Sequence, residues 1–547
     1  MPDKQKYHPL LRQLRLVANQ KSSENDPSQV SSLDVLNHLL QKNVLTQENI
    51  RSAVQSLAEE RSMDSTKDKA QTKTEQIPAK RRTRHIALRF FYDGANYSGL
   101  AQNLGQESDN SIEKVLFQAL LRARLVESRE RSGYSRCGRT DRGVSAAGQV
   151  VALNLKSAIP QDATFDSDGN DLISNEALPK NEFEKIKFWA FPKTKKNRLP
   201  STRVEKEISE YPYAKILNNL LPPEIRILGW APVSTEFSAR FSATTRKYRY
   251  FFAKRQMNLQ RIREGLKLLV GKHDFRNFCK MDVEKVYNFE RLIHDAELVE
   301  LSDEVCYLQI LGQAFLWHQI RCIAEVLFMI GRGLESPDVI TKLHDVKKYP
   351  GKPSYSLADE KPLVLHNCGY PNLQVGYSVQ NIWTVTCQLE QQWEELTLAA
   401  TRIRNGIESF LDVSILKEDL ITFASNKVTE RNKKLERAGI GYADTPVNLK
   451  VDLLDGMEKT TTIAWKKALP WLLDHGLVPD SNGLDTSIHI PLLKRSMGTT
   501  YEEKVEALKK NGKRRQRFED NVIKKRKSAE EDAAFYEHMT KQGGVGM

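Results

Sequence analysis

Cysteine is scarce in this sequence: six cysteines occur among 547 residues, and no two of them form a C-x-x-C pair. They are scattered between positions 137 and 387, without a tight cluster of cysteine and histidine. A structural zinc site needs such a cluster, and a secreted disulfide scaffold needs a denser set of cysteines. The sequence therefore argues against both.

Long apolar runs are also missing. No stretch approaches the roughly 18 to 20 apolar residues that a membrane-spanning helix needs. The first residues, MPDKQKYHPLLRQLRLV, lack the continuous apolar segment of a signal peptide. Walker, Rossmann and zinc motifs are absent as well. We expect a soluble, intracellular chain that has no membrane partner.

Positive charge is abundant and unevenly distributed. The formal net charge is +13, and residues 494–527 alone contain 13 Lys and Arg against five Asp and Glu. A second basic run spans residues 80–84, and seven arginines between positions 122 and 142 surround a Gly-rich turn. Such clusters favour a polyanionic partner, because neutralised phosphates release counterions. For the C-terminal run, a solvated tail with a nuclear import sequence is an equal alternative.

Changes in composition and apolar pattern divide the chain into four segments. A polar arm with one expected helix near residues 32–57 occupies residues 1–82. Residues 83–374 form the expected catalytic domain, interrupted by a polar insertion at about 161–207. We expect residues 375–493 to be an extension that packs on this domain, and residues 494–547 to be a basic, helical or flexible tail.

Apolar periodicity within the expected catalytic domain predicts alternating strands and helices. We expect strands at 86–92, 148–155, 247–253 and 305–311, and helices at 111–125, 259–270 and 316–330. This pattern, without a repeated βαβ period, favours an α+β fold with an extended sheet.

One loop stands out as a candidate site. Residues 134–151 contain three glycines and three arginines around a single acid, Asp141. Gly138 and Gly143 allow tight backbone geometry on either side of Asp141, and the arginines would keep its carboxylate ionised. From spacing alone, a surface salt bridge is the commoner explanation of such an acid.

A resemblance to a known family changes this balance. The run Arg139–Ala146, R-T-D-R-G-V-S-A, resembles the signature of the TruA-type tRNA pseudouridine synthases, in which the Asp is the catalytic carboxylate. Four further segments resemble family motifs in the same order, namely residues 91–99, 237–250, 273–280 and 315–321. Together they cover roughly residues 85–370.

The resemblance implies a role for each candidate residue. Asp141 would be the nucleophile or general base, Arg321 would pair with it, and Tyr248 would pack on a flipped base. Tyr248 has an alternative as an ordinary core tyrosine. Substrate binding would fall to Arg139, which fills the space left by the base or clamps phosphate, and to Arg136, Arg142, Arg240, Lys247 and His318.

Positions at which this sequence departs from the common family motifs indicate a branch within the family. Ser145 and Leu100 stand where many members have His and Trp, and the segments 277–282 and 489–503 resemble the eukaryotic branch, which modifies uridines 38 and 39 of tRNA. The implied fold is the α+β pseudouridine synthase fold, with two ferredoxin-like halves, one long mixed sheet and a central basic cleft.

The expected function is therefore isomerisation of tRNA uridines in the nucleus, the cytoplasm or both. An isomerisation needs no redox cofactor, nucleotide or metal. Three alternatives stay open: other target positions, a catalytically retired RNA-binding or chaperone protein, and, more weakly, a metal-dependent nuclease, which the lack of a carboxylate cluster opposes. The family often dimerises, so a homodimer and a monomer are both open.

Overall fold

We describe the protein from a computed structural model, which covers residues 81–102, 109–160, 185–190, 204–255, 257–437, 461–474, 489–510, 512–519 and 522. The helix predicted in the N-terminal arm, much of the insertion and the end of the basic tail lie outside the described residues. Among the described helices, none combines the length and apolar character that crossing a membrane requires.

Strands and helices alternate along most of the described chain. The strands are β1 (Arg81–Tyr92), β2 (Ser135–Arg136), β3 (Ser145–Pro160), β4 (Lys185–Ala190), β5 (Val204–Ser209), β6 (Ile225–Pro232), β7 (Thr245–Ala253), β8 (Gly271–Asp274), β9 (Glu290–Glu300), β10 (Val305–Gly312), β11 (Leu363–Gly369), β12 (Ser414–Leu416) and β13 (Thr462–Ala464). The α-helices are α1 (Ile112–Arg122), α2 (Tyr213–Asn218), α3 (Leu259–Lys267), α4 (Gln319–Gly331), α5 (Val339–His344), α6 (Val379–Leu411), α7 (Lys417–Arg437), α8 (Trp465–Asp474), α9 (Tyr501–Lys509) and α10 (Gly512–Phe518).

A nine-stranded mixed sheet organises these elements. Its strand order is β6-β1-β3-β11-β7-β10-β9-β8, and β2 pairs with the middle of the long strand β3. The pairing of β3 with β11 is parallel and lies in the middle of the sheet, whereas its other pairs are antiparallel. The predicted α+β class with one large mixed sheet is confirmed.

One hydrophobic core forms where α1 packs on β1. Ser111 caps the helix by accepting a hydrogen bond from the backbone of Lys114, which stabilises such a helix by about 1 kcal/mol. Leu116 and Leu120 are fully buried on the face that meets the sheet, together with Leu88 of β1. The helical period of α1 and the alternation of β1 thus bury the same core.

A second hydrophobic core forms around α3 and α4. The two helices lie so close that a Cβ on Gly265 of α3 would come within 2.8 Å of the Leu327 side chain on α4. On the sheet side, the ring of Phe328 contacts the rings of Tyr250 and Phe252 from β7. This core also includes Leu316 and Val144, which flank the two loops discussed below.

The structure differs from the predicted elements in two places. The insertion contains an antiparallel hairpin of β4 and β5, in which Lys187 faces Glu207 and forms an ion pair over 2.8 Å with its diagonal neighbour Glu205. Helix α4 begins at Gln319 rather than near residue 316, because His318 has a φ of 62°, which a helix cannot continue.

The chain on both sides of residue 494 packs against the second core, through Leu492 and Tyr501. Leu492 is fully buried in that core, and its N–H donates to the Glu335 carboxylate over 2.6 Å. His489 Nε2 lies 2.8 Å from the same carboxylate. Helices α9 and α10 agree with the helical character predicted for the tail.

Candidate active site

The loop that presents Asp141 connects β2 to β3 and rests on the turn after β1. The hydroxyl groups of Tyr92 and Thr140 are 2.7 Å apart, and Leu100 N–H donates to the Thr140 carbonyl over 3.2 Å. Gly99, with a φ of 111°, packs so closely that a Cβ there would lie 2.9 Å from the Thr140 oxygen. Two motifs that are 40 residues apart in the sequence therefore form one rigid unit.

The carboxylate of Asp141 is held between two side chains from the loop before α4. Trp317 Nε1–H donates to Oδ1 of Asp141 over 3.1 Å, and His318 Nε2 lies 3.6 Å from Oδ2. One third of the Asp141 side chain remains exposed (33%), so a substrate can reach it. The site thus presents an oriented and accessible carboxylate.

His318 is a neutral neighbour of this carboxylate. Burial lowers the pKa of His318, Asp141 opposes this shift, and the positive charges of Arg321 and Lys280 add to it. The other ring nitrogen, Nδ1, is buried and has no hydrogen-bond partner among the described residues. A neutral imidazole beside Asp141 leaves the carboxylate as the charged group of the pair.

Arg321 does not form the expected pair with Asp141 in this structure. Its guanidinium donates to the Glu360 carboxylate and to the Ala358 carbonyl, each over 2.7 Å. The side chain is only 12% exposed, so its N–H groups need partners at close range, and the segment before β11 supplies them. The Glu360 side chain also covers Gly143, where a Cβ would come within 2.6 Å of it. The Arg321–Glu360 pair therefore packs against the Asp141 loop at Gly143.

Tyr248 lies on β7, next to Phe315 in the loop that carries Trp317. Its ring meets the ring of Phe315 edge to face, with centroids 5.3 Å apart. Burial raises the pKa of Tyr248 far above its ordinary value, and the negative charge of Asp141 adds to the shift. The hydroxyl is therefore protonated throughout the neutral range.

The predicted basic residues fall into three groups. Arg139, Arg142 and Arg240 are exposed. Desolvation lowers the pKa of Arg139, and the positive charges of Arg136 and Arg240 add to the shift. Strand alternation puts Lys247 on the opposite face of β7 from Tyr248. There, burial lowers the pKa of His366, and the charges of Arg249 and Lys247 add to the shift. The role of Lys247 toward a substrate stays a prediction.

Arg136 has a partner inside the fold. It pairs with Glu113 of α1, which is fully buried and also binds Arg129 over 2.5 Å. Burial alone would raise the pKa of Glu113, but the two guanidinium groups hold it below its ordinary value. Arg136 therefore fixes β2 to α1, and its role toward a substrate stays a prediction.

Three side chains near the site were missed by the sequence reasoning. Arg246 donates to four backbone carbonyls that surround the loop ends, those of Cys137, Arg240, Ala243 and Gln313. Lys280 places its ammonium group 4.4 Å from the centre of the Trp317 ring, and Glu360 holds Arg321. Arg246 and Lys280 lie within the family-like segments 237–250 and 273–280, whereas no feature of the local sequence indicates a role for Glu360.

Metal ligation is not apparent at this site. Within the described part of the chain, no group of three or more His, Cys, Asp and Glu side chains could hold a metal ion. All six cysteines are free thiols. The chemistry that the arrangement itself offers is that of one oriented carboxylate beside a protonated tyrosine.

Comparisons with known proteins show which family and which proteins this chain is similar to. A family profile described as tRNA pseudouridine synthase matches residues 266–371, which include Arg321 but not Asp141. A Bos taurus protein named tRNA pseudouridine(38/39) synthase is 41% identical over 322 residues, 57% of this chain and 60% of the relative. A Saccharomyces cerevisiae protein of the same name is 35% identical over 299 residues, 54% of this chain and 59% of the relative. The chain thus spans about 60% of the length of these relatives.

A third relative is covered almost completely. It is a Caenorhabditis elegans protein named as a probable tRNA pseudouridine synthase, 36% identical over 378 residues, 63% of this chain and 87% of the relative. The family inferred from the five sequence segments is thereby confirmed. The chain belongs to the tRNA pseudouridine synthase family.

Proposed function

We propose that this protein isomerises uridines in tRNA to pseudouridine, at positions 38 and 39 of the anticodon arm. The observation that supports the activity is the accessible carboxylate of Asp141, oriented by Trp317 and placed beside Tyr248. The target positions are taken from the name of the bovine and yeast relatives, tRNA pseudouridine(38/39) synthase.

The reaction makes one strong demand on the protein. The N1–C1′ bond of the uridine breaks, the uracil turns, a C5–C1′ bond forms, the C5 proton is lost and N1 gains a proton, so the product is an isomer. A base stacked within RNA cannot reach a carboxylate on a loop, and it must be rotated out of the stack first. Asp141, acting as nucleophile or general base, is the group that initiates the rearrangement.

The neighbours of Asp141 fit supporting roles. The Trp317 N–H fixes one carboxylate oxygen, and the other lies 3.6 Å from His318 Nε2, too far for a hydrogen bond, so it is available to react. The rings of Tyr248 and Phe315 form an apolar wall against which a flipped uracil packs. Because its hydroxyl is protonated, Tyr248 can donate a hydrogen bond or relay a proton to the turning base.

The exposed arginines suit the RNA backbone. Arg139, Arg142 and Arg240 surround the loop without described ion-pair partners, and guanidinium groups bind phosphate oxygens in a two-point geometry. We further propose that the sheet consists of two ferredoxin-like halves with a basic cleft between them. The two separate cores, which bury Leu100 and Leu316 respectively near the site, support that division.

The function is tested by one isosteric change. Asp141→Asn keeps the size of the side chain and removes its charge, so we expect the rate of pseudouridine formation in an unmodified tRNA transcript to fall more than about 1000-fold. Binding of the transcript should change less than about twofold. Asp338→Asn, at a surface ion pair with Lys342, serves as the control and should keep full activity.

The rival functions give different results in the same assay. A retired RNA-binding protein would bind the transcript and give no pseudouridine with any variant. Product at positions other than 38 and 39 would contradict the proposed targets and keep the activity. Equal product from the wild type and Asp141→Asn would contradict the role of Asp141.

We also propose that the protein is a homodimer joined through α6. Apolar or small residues recur along this helix at alternating steps of four and three, as in a coiled coil, at Ile382, Thr386, Leu389, Trp393, Leu396, Ala400, Ile403, Ile407 and Phe410. Leu396 is 70% exposed and Ile403 is 68% exposed. A seam of this length is stable in water only when it is covered, and the same seam on a second copy is complementary to it.

For localisation we propose the nucleus and the cytoplasm. The basic run at residues 524–527, which lies outside the described residues, has the composition of a nuclear import sequence. A fluorescent fusion in which these four residues are replaced by alanine should lose its nuclear signal.

A further inference from the structure

A second pocket adjoins the Asp141 site on the far side of His318. It encloses about 320 Å³ and is lined by the side chains of Arg276, Lys280, His318, Lys352 and Lys504. His318 links the two sites, because its Nε2 lies 3.6 Å from Asp141 while its ring forms part of the pocket wall. The proposed function leaves this pocket without a role.

The charge of the pocket is strongly positive. Among the described residues, the lining contains no Asp or Glu, and Lys280, Lys352 and Lys504 form no ion pairs. Arg276 is matched by Asp274 over 2.8 Å. Lys352 contacts only a thiol, with its Nζ 3.2 Å from Cys322 Sγ, and the Tyr355 ring, 4.1 Å away. Lys504 also lines a neighbouring pocket that contains Asp282 and Glu284, whereas the lining of this pocket holds no acid, so its three ammonium groups favour the entry of an anion.

The C-terminal segment builds one wall of this pocket. Gly498 N–H donates to the Lys352 carbonyl over 2.7 Å, and Ser354 N–H donates to the Ser496 carbonyl over 3.0 Å. The Tyr501 ring at the start of α9 meets the Phe289 ring, with centroids 5.6 Å apart. These contacts fix α9 and bring Lys504 to the pocket, although this helix lies far outside the region that the family profile matches.

We propose that this pocket binds a phosphodiester of the RNA strand next to the uridine that enters the Asp141 site. Lys504 is then a substrate-positioning residue contributed by the C-terminal segment. The proposal rests on the proposed function for the identity of the substrate. It accounts for the three unpaired lysines and for the short distance between pocket and carboxylate, since the phosphates flanking a flipped nucleotide must lie close to the reacting base.

The experiment compares Lys504→Ala with a matched control, Lys509→Ala, in the full chain. Both changes remove one lysine from α9, but Lys509 is exposed and lies outside the pocket. Fluorescence anisotropy with a labelled tRNA transcript, at several salt concentrations, gives the affinity and its salt dependence. We expect Lys504→Ala to weaken binding about fivefold and to reduce the slope of log K against log salt by roughly 0.7 to 0.9. Lys509→Ala should leave both values close to wild type.

Two further arms make the result decisive. Lys504→Arg keeps the charge and should restore the wild-type salt slope, which separates loss of a phosphate contact from loss of structure. Inorganic phosphate serves as a second probe, read by its effect on the melting temperature. If Lys504→Ala removes stabilisation by phosphate while tRNA binding is unchanged, the pocket binds free phosphate and the proposal is overturned.

The proposal and the proposed function can fail separately. The anisotropy measurement requires no turnover, so it reports on the pocket even if the wild type forms no pseudouridine. Equal affinities and salt slopes for Lys504→Ala and Lys509→Ala would overturn the pocket proposal and leave the role of Asp141 untouched.

Discussion

At the residue scale, two glycines near Asp141 are predicted to respond in opposite ways to the same substitution. Gly99 has a φ of 111° and faces the Thr140 carbonyl, so Gly99→Ala adds backbone strain and a steric overlap at once. We expect this change to lower the free energy of unfolding by about 2 kcal/mol or more. Urea unfolding measures the difference.

Gly138, inside the R-T-D loop segment itself, is the matched control. A Cβ at Gly138 meets no atom within 4 Å, and its φ is not positive. Gly138→Ala should therefore leave the unfolding midpoint unchanged or slightly higher. Equal losses for both variants would show that the Asp141 loop does not rest on the turn at Gly99.

Residues of the candidate site were predictable where they lie in motifs that the local sequence reveals. Asp141 and Tyr248 stand in motifs whose strand and loop positions follow from local patterns. In the structure the loop before α4 contacts both, because Trp317 hydrogen-bonds Asp141 and Phe315 packs on Tyr248. The partner of Arg321 was not predictable in this way. Glu360 stands 39 residues further along the chain, and only the closure of β11 onto β3 brings it to the site. The role of Lys247 toward a substrate stays a prediction.

At the element scale, the end of α5 makes stability depend on pH. The His344 ring stacks on His273, with centroids 4.4 Å apart, and lies against Phe275 and Phe278. Burial, with a further contribution from His273, lowers the pKa of His344 to about 3. In the unfolded chain His344 binds a proton near pH 6.5, whereas in the folded chain it stays neutral down to about pH 3. The free energy of unfolding therefore falls as the pH drops from about 6.5 toward 3.

Replacing this ring should flatten the dependence. His344→Phe keeps an aromatic ring in the cluster and cannot be protonated. Between pH 7.5 and 5.5 its free energy of unfolding should therefore fall by about 1 kcal/mol less than that of the wild type. Urea unfolding at the two pH values gives this difference. His294→Phe, at an exposed position on β9, should behave as the wild type does. The same pH dependence in wild type and His344→Phe would exclude His344 as its source.

Elements were predictable where one face is buried against a helix. Runs rich in apolar and aromatic residues predicted β1, β3, β7 and β10, because each of these strands contributes residues to a hydrophobic core. The same signal is weak in β9, Glu290–Glu300, which pairs with β8 at the edge of the sheet and keeps many charged side chains in water. The hairpin of β4 and β5 depends on cross-strand pairing, which a single segment does not reveal.

At the scale of the whole molecule, the seam on α6 predicts the oligomeric state. Asn381, near the start of α6, hydrogen-bonds Asn218 and the carbonyls of Ile227 and Leu228, which fixes the first turn of the helix to β6, whereas Leu396 and Ile403 further along the helix are exposed. A second copy would bury Leu396 on both sides of a two-fold axis, and each buried leucine contributes about 2 kcal/mol. Light scattering should therefore give twice the chain mass of 62.6 kDa.

Leu396→Glu should break this dimer, because it removes two apolar contacts and places two like charges at the same interface. The expected loss of about 4 kcal/mol or more weakens association roughly 1000-fold, which yields monomers at micromolar concentration. Leu398→Glu is the matched control: Leu398 is 54% exposed on the same helix but lies off the seam, so the same chemical change should leave the dimer intact. Sedimentation of the three proteins separates the outcomes. A monomeric wild type, or equal dissociation by both substitutions, would contradict pairing through the seam, and α6 would then have to be covered by a different partner.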